Sequence, residues 1–242
     1  MRTFLIGGGR DAVAVHEPFA RAAGGRVVAF VLDEGEDTDT KRWAGTLAAA
    51  GAAEPRVVVV SPTRPPRAGD LDGAGGVYVA GGLTTGYHQA LVAAGTGWLD
   101  EARGAGMVFA GFSAGASIAP VHALVGGWRS RYRDQRLEVC HEDCAEELDE
   151  LTVLPGLGLG PFLVDVHAAQ WGTLNRLVHA LVAAEVDEGW AIDENTALEA
   201  DDEVVTVHGS GAATRVIRRG PDVQLTIHIA GDTFPIADRR SG

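Results

Sequence analysis

The sequence predicts an α/β fold: a single-domain, three-layer sandwich around a mostly parallel sheet, with a few antiparallel strands towards its C-terminus. Three observations carry this. Short apolar runs, several rich in Val, at 3–6, 27–32, 57–60, 77–80 and 107–110 alternate with Ala-rich segments at 11–23, 38–50 and 85–94 that present a helical face. That alternation is the mark of crossover units and of strands buried on both sides. Glycines gather where the runs end, at Gly7-Gly8-Gly9, Gly81-Gly82 and Gly111, at the sheet edge where open parallel sheets carry their chemistry. Beyond residue 200 the pattern shortens to alternating runs at 204–207, 214–217 and 223–229, as antiparallel strands require.

Taken in order, Gly7-Gly8-Gly9 lacks the Gly-x-Gly-x-x-Gly spacing of a dinucleotide loop and reads as a tight turn lining a crevice, with Arg10 a candidate carboxylate contact. The run at 107–110 leads into Gly111-Phe112-Ser113-Ala114-Gly115, and the small apolar stretch 114–119 continues it as a helix that Pro120 ends early. Residues 128–150, where arginines at 129, 131, 133 and 136 precede a run of acids, read as a solvated insertion or flap. Regularity returns at 154–160, in a helix at 173–186 and in a strand at 189–192. No repeat and no linker divides the 242 residues, so one domain spanning 1–242 is expected.

Composition narrows the partners. A net charge of −13 argues against a nucleic-acid backbone or an anionic membrane, since both demand clustered Lys and Arg. The apolar run at 3–6 stops at Gly7, too short for a signal segment, and a cytoplasmic location is expected. Cys140 and Cys144 cannot staple a chain of this length and fit a reducing compartment. Cys140-His141-Glu142-Asp143-Cys144 holds metal-ligand types but has no second Cys or His pair, so no metal and no cofactor is expected.

The chemistry centres on Ser113. Gly-x-Ser-x-Gly between a strand and a helix is a nucleophile elbow, in which glycines on either side of the serine relieve the clashes of a sharp turn. A serine nucleophile needs a base, and the base needs an orienting group. Among eight histidines, Asp165-Val166-His167 supplies the best base because it stands at an element end. Asp193-Glu194, after the strand at 189–192, offers the carboxylate. The order Ser, His, acid differs from the Ser, acid, His of α/β-hydrolases and counts against that fold. His88, close behind the glycine pair, is a candidate for the crevice but reads better as a surface helix histidine, and His16, His122, His179, His208 and His228 read as packed or solvated bystanders.

These motifs together resemble cyanophycinases and peptidase E-like serine peptidases (peptidase family S51), which share a class I glutamine amidotransferase-like fold. The resemblance rests on Gly81-Gly82, Gly-Phe-Ser-Ala-Gly-Ala at 111–116, Gly156-Leu157-Gly158-Leu159 leading to Asp165-x-His167, and Ile192-Asp193-Glu194-Asn195-Thr196. It implies Ser113 as nucleophile, His167 as base and Glu194 as orienting acid. It also implies an oxyanion hole from the backbone N–H groups of Gly82, with Gly81 or Leu83 as alternatives, and Ala114. Leu83, Thr84, Asp165, Gln170, Trp171 and Arg176 are expected to meet the substrate, a small molecule or short peptide, and a homodimer is left open.

The chain departs from the cyanophycinase pattern where substrate is recognised. Leu83-Thr84 replaces a polar Asp-Gln or Asn-Gln pair, and Trp171 and Thr173 stand where arginines are expected. Hydrolysis of a small amide is therefore expected over cyanophycin degradation. An esterase-like hydrolase with the same triad, and a silent binding protein on the same fold, are the alternatives.

Overall fold

The computed structural model describes residues 1–9, 13–67, 69–201, 204–220 and 222–235. Arg10 lies outside them. The parallel core of an eight-stranded sheet comprises β1 (Thr3–Ile6), β2 (Arg26–Leu32), β3 (Ala53–Val60), β4 (Ala74–Val79) and β5 (Val108–Phe112). Its full order, numbering strands along the chain, is β16-β13-β12-β1-β5-β4-β2-β3. Here β12 (Thr196–Ala200), β13 (Val204–Gly209) and β16 (Thr233–Pro235) add an antiparallel flank beyond β1.

Successive side chains of a strand point to opposite faces, and β4 shows what covers each. Tyr78 packs among Phe19 of α1 (Val13–Ala23) and Trp43 of α2 (Thr40–Ala49). Val79 meets the other layer, where a Cβ at Gly115 would collide with its carbonyl. That layer holds α3 (Thr84–His88), which runs on into a π-helical turn at Gln89–Ala93, α4 (Gly97–Gly104) and α5 (Ala114–Ser117). Three layers result, with the Val-rich strands between them.

A second, four-stranded sheet stands beside the first: β10 (Leu163–Val166), β11 (Glu188–Ile192), β14 (Ala212–Arg219) and β15 (Asp222–Ile229), in that order. β10 and β11 are parallel and the rest antiparallel. The C-terminal alternating runs are thus shared between two sheets. After β10 come α6 (Ala168–Trp171) and α7 (Leu174–Ala183). Leu177, Ala180 and Leu181 of α7 pack with Val216 of β14.

Along the chain between β5 and β10 come two antiparallel pairs, β6 (His122–Gly126) with β9 (Thr152–Pro155), and β7 (Arg129–Tyr132) with β8 (Gln135–Glu138). Only the β7–β8 tip of the 128–150 segment is the solvated insertion expected. Its second half is docked: Val139 and Cys144 are buried, the Asn175 amide donates to the Val139 carbonyl, and the Arg176 guanidinium donates to the Cys144 carbonyl. His88 is likewise not a surface residue; it is buried, with Nε2 2.9 Å from the Pro155 carbonyl.

Candidate active site

The elbow at Ser113 is enforced by close packing. A Cβ on Gly111 would collide with the Gly115 carbonyl, and one on Gly115 with the Val79 carbonyl. Backbone cannot yield to either, so both positions must be glycine. Ser113 itself adopts φ 50°, ψ −112°, a conformation that costs a non-glycine residue on the order of 1–3 kcal/mol. Its N–H donates to the Ile6 carbonyl at 2.8 Å, and its carbonyl accepts the N–H of Ser117 at 3.0 Å. The strained residue is thereby tied both to β1 and to the first turn of α5.

His167 arrives from the other sheet. It follows β10 in a left-handed conformation with φ 53°, its N–H donates to the Gly7 carbonyl at 2.9 Å, and its carbonyl accepts from Trp171 N at 2.7 Å. A Cβ on Gly8 would collide with the imidazole ring, so the glycine run after β1 makes room for it. Ser113 Oγ lies 2.8 Å from His167 Nε2, and His167 Nδ1 lies 2.7 Å from Glu194 Oε1. With Glu194 accepting at Nδ1–H, Nε2 carries a lone pair that faces the Ser113 hydroxyl. Burial lowers the pKa of His167 and so favours the neutral imidazole, partly offset by its hydrogen bond to Glu194.

The loop between β11 and β12 holds the carboxylate by side-chain and backbone bonds. Glu194 N–H donates to the Gln170 side-chain oxygen at 2.9 Å, and Asn195 N–H to the Gly8 carbonyl. Asp193, the neighbouring acid, accepts from Ala169 N and Ala212 N, both at 3.0 Å. It anchors the loop while Glu194 points at His167.

Around these groups opens a cleft of about 1370 Å³, lined by Gly81, Gly82, Trp43, Phe112 and Trp171 as well as by charged side chains. Gly81 lies against Ser113: a Cβ there would stand 3.2 Å from Ser113 Cβ. Among the described residues no acceptor is found for the Gly82 N–H, and Ala114, first in α5, has no intrahelical acceptor for its own. Leu83 N–H is already engaged, donating to Glu34 Oε1 at 3.1 Å.

Several expected substrate contacts are corrected. Asp165 and Arg176 are buried and paired with each other through two bonds, Nε to Oδ2 at 2.9 Å and one Nη to Oδ1 at 2.7 Å. Placing a guanidinium in the core requires such a partner, so the pair braces the second sheet against the docked segment. Thr84 is buried, its N–H donating to Glu146, and Leu83 packs on the core. Gln170 is occupied with Glu194. Trp171 alone of that set lines the cleft; it stacks on His167 with ring centroids 4.0 Å apart and planes 11° from parallel.

The sequence reading missed the opposite wall. Glu34, Asp37 and Asp39, with Arg42 and Trp43, come from the turn after β2 and the start of α2. The one signal that could have found them is that Asp33-Glu34 follows a strand whose carboxyl end belongs to the same sheet edge.

Compared with known proteins, the sequence matches no family model and no curated protein. Solved structures do match. A peptidase from an acI-B1 Actinobacterium superposes with a TM-score of 0.63 at 16% identity, over 97% of this chain and 96% of that one. A "Putative Peptidase E Protein" from Listeria monocytogenes EGD-e gives a TM-score of 0.57 at 19% identity, over 87% of this chain and 98% of that one. The fold is peptidase E-like. At these identities the likeness concerns the fold, and what the site does rests on the geometry just described. Among the described residues no helix is long and apolar enough to cross a membrane.

Proposed function

We propose that the protein is a serine hydrolase that cleaves a small amide or peptide bond through an acyl-enzyme on Ser113. The observation that carries this is the chain of contacts Ser113 Oγ, His167 Nε2, His167 Nδ1, Glu194 Oε1, at 2.8 and 2.7 Å, beside an open cleft. Neutral His167 takes the Ser113 proton as Oγ bonds to the carbonyl carbon, and Glu194 stabilises the imidazolium formed. The Gly82 and Ala114 N–H groups are the donors for the oxygen that becomes negative, an arrangement worth several kcal/mol of barrier when aligned. Collapse breaks the C–N bond as His167 returns the proton to the leaving amine. Water, deprotonated by His167, then hydrolyses the ester and restores Ser113.

The cleft offers three unpaired-in-triad carboxylates, Glu34, Asp37 and Asp39, against one guanidinium, Arg42, which lies over the Trp43 ring. A short peptide with an apolar or aromatic surface for the exposed Trp171, and no carboxylate to meet that acidic wall, suits it better than one defined by a carboxylate. β-Aspartyl-arginine polymer is expected to be a weak substrate, since the arginines of the cyanophycinase pattern are replaced by Trp171 and Thr173. A fluorophosphonate probe tests the reading: it should label Ser113 alone. A side-by-side panel of aspartyl, aromatic and aliphatic dipeptides, their ester analogues and the polymer then separates peptidase from esterase. An absence of both labelling and turnover would leave a silent protein on this fold.

A further inference from the structure

Of the large apolar side chains exposed among the described residues, four lie on one strand: Val223 at 38%, Leu225 at 49%, Ile227 at 69% and Ile229 at 60%. That strand, β15, is the outer edge of the second sheet, bonded to β14 on one side only. The four alternate along it, so they share one face. Leu225 stands opposite Val216, which packs under α7, so this is the face that α7 covers further in. At the end of the row the Ile229 N–H and carbonyl are taken by Asp232, so the open edge runs from Val223 to His228; such an apolar edge is a template for another strand, and edges meant to stay free carry charges, prolines or bulges. Residues 223–229 contain no Asp, Glu, Lys, Arg or Pro, and their register with β14 is unbroken.

We propose that β15 pairs antiparallel with β15 of a second copy of this chain, joining the two four-stranded sheets into one of eight strands. Two features select a second copy over another partner. In antiparallel pairing, residues directly opposite each other share a face. A two-fold axis normal to the sheet keeps each face on its own side, so odd-numbered residues can meet only odd-numbered ones. Every symmetric register therefore sets the row Val223, Leu225, Ile227, Ile229 against the same row of the other copy, and Gln224, Thr226, His228 against their own kind. The strand is complementary to itself, as an isologous interface requires. Charge points the same way. Two copies of a chain with net charge −13 repel over most of their surface, and the acid-free stretch 223–229 is a line along which they can approach.

The test is sedimentation velocity on the full chain from about 1 to 100 μM, with Ile227→Lys and Leu225→Lys alongside. The wild type is expected to sediment as a dimer. Each lysine sets like charges near the axis and should weaken the dimer by about a hundredfold or more, with fluorophosphonate labelling of Ser113 retained. Ile227→Thr keeps a β-branched strand former and serves if a lysine variant fails to fold; it should weaken the dimer by about tenfold. A wild type that is monomeric throughout, or a dimer that all folded variants leave intact, overturns the proposal. Neither result bears on the hydrolase reading, which the labelling reports separately.

Discussion

The two halves of the candidate site are built by different means. The nucleophile half, from β5 to α5, is held by backbone: Gly111 and Gly115 are pressed against carbonyls, and Ser113 is fixed by bonds to Ile6 and Ser117. The base half, from the ends of β10 and β11, has backbone ties as well, His167 to Gly7 and Asn195 to Gly8, but its acid is set by side chains, with Gln170 and Asp193 bracing the Glu194 loop and Gly8 yielding room to His167. A backbone-built elbow has no intermediate states, because a carbonyl cannot be repacked. A side-chain-built relay can be weakened step by step. The difference separates what should abolish the site from what should tune it.

The largest effect tests the elbow. Ser113→Ala should abolish fluorophosphonate labelling and lower turnover by about four to six orders of magnitude, while the melting temperature stays level. Wild-type turnover in that variant would move the nucleophile elsewhere. Gly115→Ala should instead lose folded protein, at a cost of about 3 kcal/mol or more, because its Cβ meets the Val79 carbonyl; a denaturant titration reads this directly.

On the relay side, Glu194→Gln should cost about three orders of magnitude in kcat, since an amide can favour the wrong imidazole tautomer. Asp193→Asn should spare more activity yet lose about 1–2 kcal/mol of stability, because one of its two N–H acceptors becomes a donor. Equal kinetic losses from the two would merge roles that the geometry separates. Gly8→Ala, which pushes on the imidazole and strains a backbone held at φ 127°, should cut turnover about a hundredfold and cost about 1–3 kcal/mol of stability.

The smallest effects concern protons. Because burial depresses the His167 pKa, the acid limb of kcat/KM should lie below pH 6.5, the ordinary histidine value. Trp171→Phe, which keeps a ring over His167, should stay within a few-fold of wild type, and Trp171→Leu should fall further. Beneath the elbow, His16 stacks on Phe112 and lies 3.2 Å from the Tyr78 hydroxyl, its pKa lowered to about 4 first by burial and then by Arg42. Between pH 6.5 and about 4 the unfolded chain binds this proton and the folded one does not. Stability should therefore fall as pH falls through that window, and His16→Gln should flatten the loss. A denaturant midpoint independent of pH there would contradict it.

The amino-acid sequence by itself determined the parallel core and the elbow, and it named the three groups that the structure brings together. Those features are local. A Val-rich strand declares its burial in its own residues, and the glycines that permit the turn at Ser113 are two positions away from it. What only the tertiary structure decided depends on neighbours distant in the chain. The order β5-β4-β2 carries Glu34 to within hydrogen-bonding reach of Leu83, 49 positions on, and so builds an acidic wall that no motif announces. Arg176, read as a substrate contact, was claimed by Asp165 one helical segment earlier. A guanidinium is equally suited to a ligand's carboxylate or to a buried one; packing, which sets the cost of leaving Asp165 unpaired, made the choice.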